Sequence, residues 1–84
     1  MGRSIIFSDE ARADVRAIDR ETALRLLHGL ARYVATDTGD VKQLQGYDPP
    51  QFRLRVGDYR IRFRKVGDRD LEILRVLHRR ESYR

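Results

Sequence analysis

With 84 residues, the chain has room for one small hydrophobic core and none for a nucleotide-binding fold built from repeated strand-helix-strand units. Hydrophobic residues make up 40% and charged residues 37%, which suits a folded domain under a dense ionic surface and argues against disorder. There is no cysteine, which excludes a disulfide framework, a thiolate metal site and a thiol nucleophile, and the net charge of +5 points to an anionic partner.

The longest strictly apolar run, Ile5-Ile6-Phe7, falls far short of the ~20 residues of a membrane helix, and no signal-peptide stretch is recognisable, so the expected location is the cytoplasm. In chain order, Ser4 to Phe7 reads as a short strand. Ser8 followed by Asp9 and Glu10 has the form of a helix N-cap with acids in the first turn. Ala11, Val15 and Ile18 then share one face, predicting a helix that ends near Ile18. Asp19 caps a second helix over about Arg20 to Ala35, with Leu24, Leu27, Ala31 and Val34 as one apolar stripe widened by Leu26, Leu30 and Tyr33. The two helices are expected to form a hairpin with a common apolar side. Thr36 to Asp40 carries turn chemistry, Val41 to Tyr47 is ambiguous, and Asp48-Pro49-Pro50 closes that segment.

From Gln51 the hydrophobic period becomes two. Phe52, Leu54 and Val56 alternate with Gln51, Arg53 and Arg55; after Gly57-Asp58, Tyr59, Ile61 and Phe63 alternate with Arg60, Arg62 and Arg64. This predicts a hairpin with one apolar and one arginine face. A turn at Gly67 to Asp70 leads into a strand from Leu71 to His78, apolar on both sides as a central strand would be. Arg79 to Arg84 reads as a polar tail. The expected class is α+β: an N-terminal strand, a two-helix hairpin, then a three-stranded antiparallel meander with the helices packed on one sheet face, all in a single domain over 1–84.

Charge is distributed unevenly, with a net −1 over residues 1–40 and +6 over residues 41–84. Of the 18 cations, 16 are Arg, whose planar donor fork suits phosphate oxygens and remains protonated at any working pH. Five of them, Arg53, Arg55, Arg60, Arg62 and Arg64, are expected to project from one side of the meander. Their mutual repulsion calls for anions or acids to offset it; Asp58, Asp68, Asp70 and Glu72 are one source and a nucleic-acid backbone is another. His78, followed by Arg79, Arg80 and Tyr83, adds a side chain that exchanges protons near neutral pH, further phosphate-binding cations and a base-stacking ring. A lone histidine at a strand end also serves in ordinary packing, and His28 reads as a surface or packing residue. The acids show no metal-cage spacing, no glycine-rich phosphate loop is present, and no serine lies in a nucleophile elbow, so a metalloenzyme, an NTPase and a serine hydrolase are disfavoured and no cofactor is expected.

The segments Phe7-Ser8-Asp9-Glu10-Ala11, Lys42-Gln43-Leu44-Gln45-Gly46, Phe52 to Ile61 (FRLRVGDYRI) and Val76 to Tyr83 (VLHRRESY) together resemble a RelE-type toxin of the RelE/ParE superfamily, in matching order over essentially the whole chain. That resemblance implies a ribosome-dependent endoribonuclease that cuts mRNA in the ribosomal A site by metal-free attack of the 2′-hydroxyl. It also implies a cognate acidic antitoxin, with operon DNA contacted only through the toxin-antitoxin complex. By the same resemblance Arg60 stabilises the attacked phosphate, Arg53 and Arg79 are further basic site residues, and Tyr83 stacks on the mRNA base. Lys42, Arg55, Arg62 and Arg80 are expected to contact RNA. The family pattern has a lysine pair where this chain has Gln51 and Arg53; because arginine is a poor base, His78 is the expected participant in proton transfer. The rival expectations are a ParE-like inhibitor of DNA gyrase and a basic nucleic-acid-binding module without catalysis.

Overall fold

The computed structural model describes residues 4–81 and has two helices and a five-stranded sheet. The elements are β1 (Ile5–Phe7), α1 (Asp9–Arg16), α2 (Arg20–Thr36), β2 (Asp40–Leu44), β3 (Gln51–Val56), β4 (Tyr59–Val66) and β5 (Asp70–His78), with strand order β1-β5-β4-β3-β2. Strands β2 to β5 are antiparallel neighbours, and β1 joins the far edge parallel to β5, with Ile5 opposite Leu71 and Phe7 opposite Ile73. The sheet is therefore mixed and larger than the three-stranded meander read from the sequence.

Capping starts both helices where the sequence places them. The Ser8 hydroxyl accepts from the Ala11 N–H at 3.0 Å and donates to the Leu74 carbonyl at 3.0 Å, so one side chain caps α1 and ties it to β5. Asp19 accepts from the Thr22 N–H at 3.0 Å. These bonds from Thr22 hold the Asp19 carboxyl below its usual range. Helix α2 stops at Asp37, which takes a left-handed conformation (φ 55°) and donates its N–H to the Tyr33 carbonyl.

The core lies between the helices and one sheet face: Ala11 of α1 and Leu26, Leu30 and Tyr33 of α2 over Leu54, Ile61, Phe63, Leu71, Ile73 and Val76. Phe63 is its centre, in ring contact with both Tyr33 (5.6 Å) and Phe52 (5.5 Å). Each fully buried aliphatic or aromatic side chain here contributes ~1.5–3 kcal/mol. The buried stripe of α2 is centred on Leu26, Leu30 and Tyr33, whereas Leu24 and Leu27 are exposed. The sequence pattern centres it on Leu24, Leu27, Ala31 and Val34, of which Val34 packs on the core; α2 is apolar over a wide arc, and periodicity alone does not pick its middle. Gly29 occupies the packed side of α2: a Cβ there would sit 2.9 Å from Val56 Cγ2, so the missing side chain lets the helix approach β3.

Three local features go beyond the sequence pattern. Helix α1 closes at Arg16 rather than near Ile18, although Ile18 still packs on the core. The ambiguous segment forms the edge strand β2, whose register against β3 runs from Asp40 opposite Arg55 to Leu44 opposite Gln51. In β5 the register shifts opposite Arg62 and Phe63, so that Ile73 faces Phe63 and Val76 faces Ile61. Leu71, Ile73 and Val76 are consequently all buried, although odd and even positions should alternate. The apparent apolarity of both faces of β5 comes largely from this change of phase.

Candidate nucleic-acid interface

Strand alternation gathers the arginines on the sheet face opposite the helices. Arg55 and Leu77 flank Arg60 in register, and the next rung runs Lys42, Arg53, Arg62, Arg75 across four strands. Like charges directly opposite each other in a sheet are destabilising. How each cation is compensated therefore separates structural from functional positions.

At one end of the face the cations are matched. Arg64 bonds Glu72, Arg53 lies 3.6 Å from Asp40, and Arg75 forms a two-pronged pair with Asp14 of α1 at 2.8 and 3.2 Å. Asp14 also accepts the Val76 N–H at 2.8 Å, and its hydrogen bond holds the Arg75 guanidinium above its usual pKa. Of Asp58, Asp68, Asp70 and Glu72, the acids that the sequence offers as one source of compensation, Glu72 alone among the described residues pairs with an arginine of the face, and Asp14 and Asp40 supply the other two pairs.

At the other end four cations converge. Arg55, Arg60, Arg79 and Arg80 line an open cleft of about 450 Å³. Arg60 is only 8% exposed, and among the described residues its guanidinium has one long hydrogen bond, donated to the Tyr59 carbonyl at 3.4 Å. Among the described residues, no carboxylate forms a salt bridge with Arg55, Arg60 or Arg80. A buried cation without a counter-charge is costly, and a phosphate oxygen would supply the missing one.

Local backbone geometry builds this cleft. Gly57 takes the positive φ (57°) needed in the two-residue loop between β3 and β4, which brings Arg55 and Arg60 opposite each other. The Asp58 carbonyl in that loop accepts the Arg79 N–H at 2.6 Å, which carries the β4–β5 pairing one step beyond Tyr59 and His78 and sets Arg79 beside the hairpin loop. The Arg80 N–H donates to His78 Nδ1 at 3.3 Å, and the Glu81 side chain accepts the His78 N–H at 3.1 Å. These bonds carry no sequence motif, since every donor is a backbone N–H and the acceptors are a backbone carbonyl, a ring nitrogen and a carboxylate.

The expected site residues fall into separate groups. Arg60 and Arg79 come together with Arg55 and Arg80 in the cleft. Arg53 and Arg62 occupy the next rung, and Lys42 lies beyond them on the exposed edge strand. The structure does not bring His78 into this group. His78 stands opposite Tyr59 and packs edge-on against its ring (5.3 Å, 87°), and Tyr59 and Arg60, as adjacent strand residues, face opposite sides of the sheet. His78 thus stands on the Tyr59 side of the sheet and not beside Arg60, and its ring accepts the Arg80 N–H. Tyr83 lies outside the described residues. Among the described residues, no three His, Cys, Asp or Glu side chains gather as a metal-ligating group, and no helix is long and apolar enough to cross a membrane.

Residues 5–83 match the family model of the ParE toxin of the type II toxin-antitoxin system, parDE. Among solved structures, the chain is similar to the RelB-RelE antitoxin-toxin complex from Methanococcus jannaschii, with 26% identity, a TM-score of 0.74, and 93% of this chain and 94% of that chain covered. The archaeal RelE-RelB complex from Pyrococcus horikoshii OT3 aligns at 20% identity and a TM-score of 0.74, covering 94% and 97% of the two chains. The E. coli DinJ-YafQ toxin-antitoxin complex aligns at 16% identity and a TM-score of 0.76 over 100% of both chains, a likeness of fold. No curated protein matches the chain.

Proposed function

The chain belongs to the ParE toxin family of type II toxin-antitoxin systems, within the RelE/ParE superfamily, and from that premise we propose that it is an endoribonuclease that cuts mRNA on the ribosome. The observation that carries the reading is the cleft of Arg55, Arg60, Arg79 and Arg80, in which Arg60 is buried and, among the described residues, forms no salt bridge with a carboxylate. A protein that only docks on another surface has little use for a nearly buried, uncompensated guanidinium. An enzyme that must stabilise extra charge on a phosphate has direct use for one.

In the proposed reaction, the 2′-oxygen of the RNA attacks the adjacent phosphorus and the 5′-oxygen of the next nucleotide leaves. The products are a 2′,3′-cyclic phosphate and a free 5′-hydroxyl. Negative charge builds on the non-bridging oxygens as the fifth bond forms, and Arg60, backed by Arg55, Arg79 and Arg80, receives it. Arginine does not act as the base at neutral pH and His78 faces away, so the 2′-hydroxyl proton passes to water or to a ribosomal group, and water protonates the leaving oxygen. The protein's contribution is charge stabilisation and positioning.

The structural neighbours are toxin-antitoxin complexes, and a cognate antitoxin fits this chain on its own terms. An acidic segment laid in the arginine cleft would neutralise it and exclude RNA, and operon DNA would be reached through that complex. The family-model match favours a second reading, ParE-like inhibition of DNA gyrase. Two purified assays separate them. The nuclease reading expects mRNA scission in a reconstituted translation reaction and unimpaired gyrase supercoiling; intact mRNA with blocked supercoiling would overturn it.

A further inference from the structure

The second rung of the arginine ladder holds a group that structural pairing does not explain. Arg62 donates through Nη2 to Gln51 Oε1 at 2.9 Å, and its guanidinium carbon lies 5.0 Å from the centre of the Tyr47 ring. Its Nε is buried and has no hydrogen-bond partner. Tyr47, in the segment between β2 and β3, is 43% exposed although it is a large aromatic residue. Beside them Arg53, opposite Arg62 in register, has a long ion pair to a mostly exposed Asp40 at 3.6 Å and a long bond to the Asp40 carbonyl at 3.4 Å, interactions readily exchanged for another anion.

Spacing connects this rung to the cleft. Arg60 and Arg62 are two residues apart on one strand, as are Arg55 and Arg53 on the next, so the rungs are separated by roughly 6.6 Å. That is close to the step between successive phosphates of an extended single strand. A strand whose scissile phosphate sits at Arg55 and Arg60 therefore presents its neighbouring phosphate to Arg53 and Arg62. The exposed face of Tyr47 is left for the attached base. A ring already backed by a guanidinium is a sequence-tolerant stacking platform.

We propose that Tyr47, Arg62 and Arg53 form a second nucleotide subsite, which stacks the base and holds the phosphate next to the one being cut. The subsite rests on the RNA-cleavage reading and adds a positioning role for residues which that reading does not use. It contributes to binding of the strand rather than to the bond-making step.

The test is cleavage of mRNA on programmed ribosomes by the full chain, with the toxin concentration varied. Tyr47→Ala is expected to raise the half-saturating concentration about five- to fiftyfold while the rate at saturation stays within about twofold, and Tyr47→Phe is expected to retain wild-type behaviour. A neutral methylphosphonate at one of the two phosphates flanking the cut should weaken the wild type and leave Arg62→Gln almost unaffected. Wild-type half-saturation in Tyr47→Ala, or equal loss in Tyr47→Phe, would overturn the stacking platform while leaving the nuclease reading intact. Unchanged cleavage with weakened antitoxin binding would reassign Tyr47 to the antitoxin and likewise overturn it. Intact mRNA with the wild-type protein would remove the cleavage reading and the subsite together.

Discussion

Replacing Arg60 by methionine should separate stability from function. Methionine keeps most of the buried stem and removes the charge, so the loss of packing is small. In the present fold Arg60 shares its cleft with Arg55, Arg79 and Arg80 and, among the described residues, forms no salt bridge with a carboxylate. Three like charges at roughly 6 Å in a water-like dielectric repel it by about 0.7 kcal/mol each, or ~2 kcal/mol before screening. Physiological salt, with a Debye length of ~8 Å, leaves about half of this. The substitution should therefore stabilise the free toxin by ~1 kcal/mol and raise its melting temperature by about 4–8 °C, more at low ionic strength than at high. Cleavage on programmed ribosomes should fall about 10²- to 10³-fold, the usual cost of losing one donor to a developing oxyanion. Scanning calorimetry at two salt concentrations and single-turnover cleavage read the two effects. A variant that melts lower than wild type at low salt, or cleaves at the wild-type rate, would refute the reasoning.

Other substitutions probe the scaffold. Asp14→Ala removes the partner of Arg75 and the acceptor of the part-buried Val76 N–H, and should cost about 2 kcal/mol in urea denaturation; a loss below about 0.5 kcal/mol would mean the clamp adds nothing. Asp19, whose carboxyl is held below its ordinary value of 3.8, stabilises α2 fully above that value and loses its contribution as pH falls through the depressed one. Asp19→Asn keeps the cap without the titration, so melting temperature against pH should flatten below about pH 4, and an unchanged acid limb would contradict the assignment. Gly29→Ala gains ~1 kcal/mol of helix propensity but forces a methyl group to 2.9 Å from Val56, so a net loss of about 1 kcal/mol is expected. Val56→Ala in the same chain should recover the propensity gain; no coupling between the two would show that α2 does not pack as closely as described.

Much of this architecture is written in local signals. Ser8 and Asp19 cap helices where short-range chemistry says they should, and Gly57-Asp58 turns the hairpin that faces Arg55 toward Arg60. Strand alternation alone places the arginines on one side. What was hidden depends on tertiary choice. Strand β2 has only Val41 and Leu44 half-buried, too weak a pattern to identify an edge strand that pairs with a single neighbour. The phase change in β5 looks like a two-sided apolar strand until its register is known. His78 misled for a related reason: its chemistry suits proton transfer, but the pairing of Tyr59 with His78 turns it from the cleft. The roles of Asp14 and Tyr47 come from contacts made across the fold, Asp14 to a residue 61 positions away and Tyr47 to a ring-stacked arginine, and neither carries a motif.

The central claim, that the arginine cleft around Arg60 cuts RNA, is tested most directly by mapping mRNA 5′ ends after brief induced expression of the wild-type chain and of Arg60→Met. The account predicts new 5′-hydroxyl ends at in-frame codon positions of translated messages, absent both from a transcript whose start codon is disabled and from the Arg60→Met culture. Growth arrest by the wild type with no new message ends would contradict it.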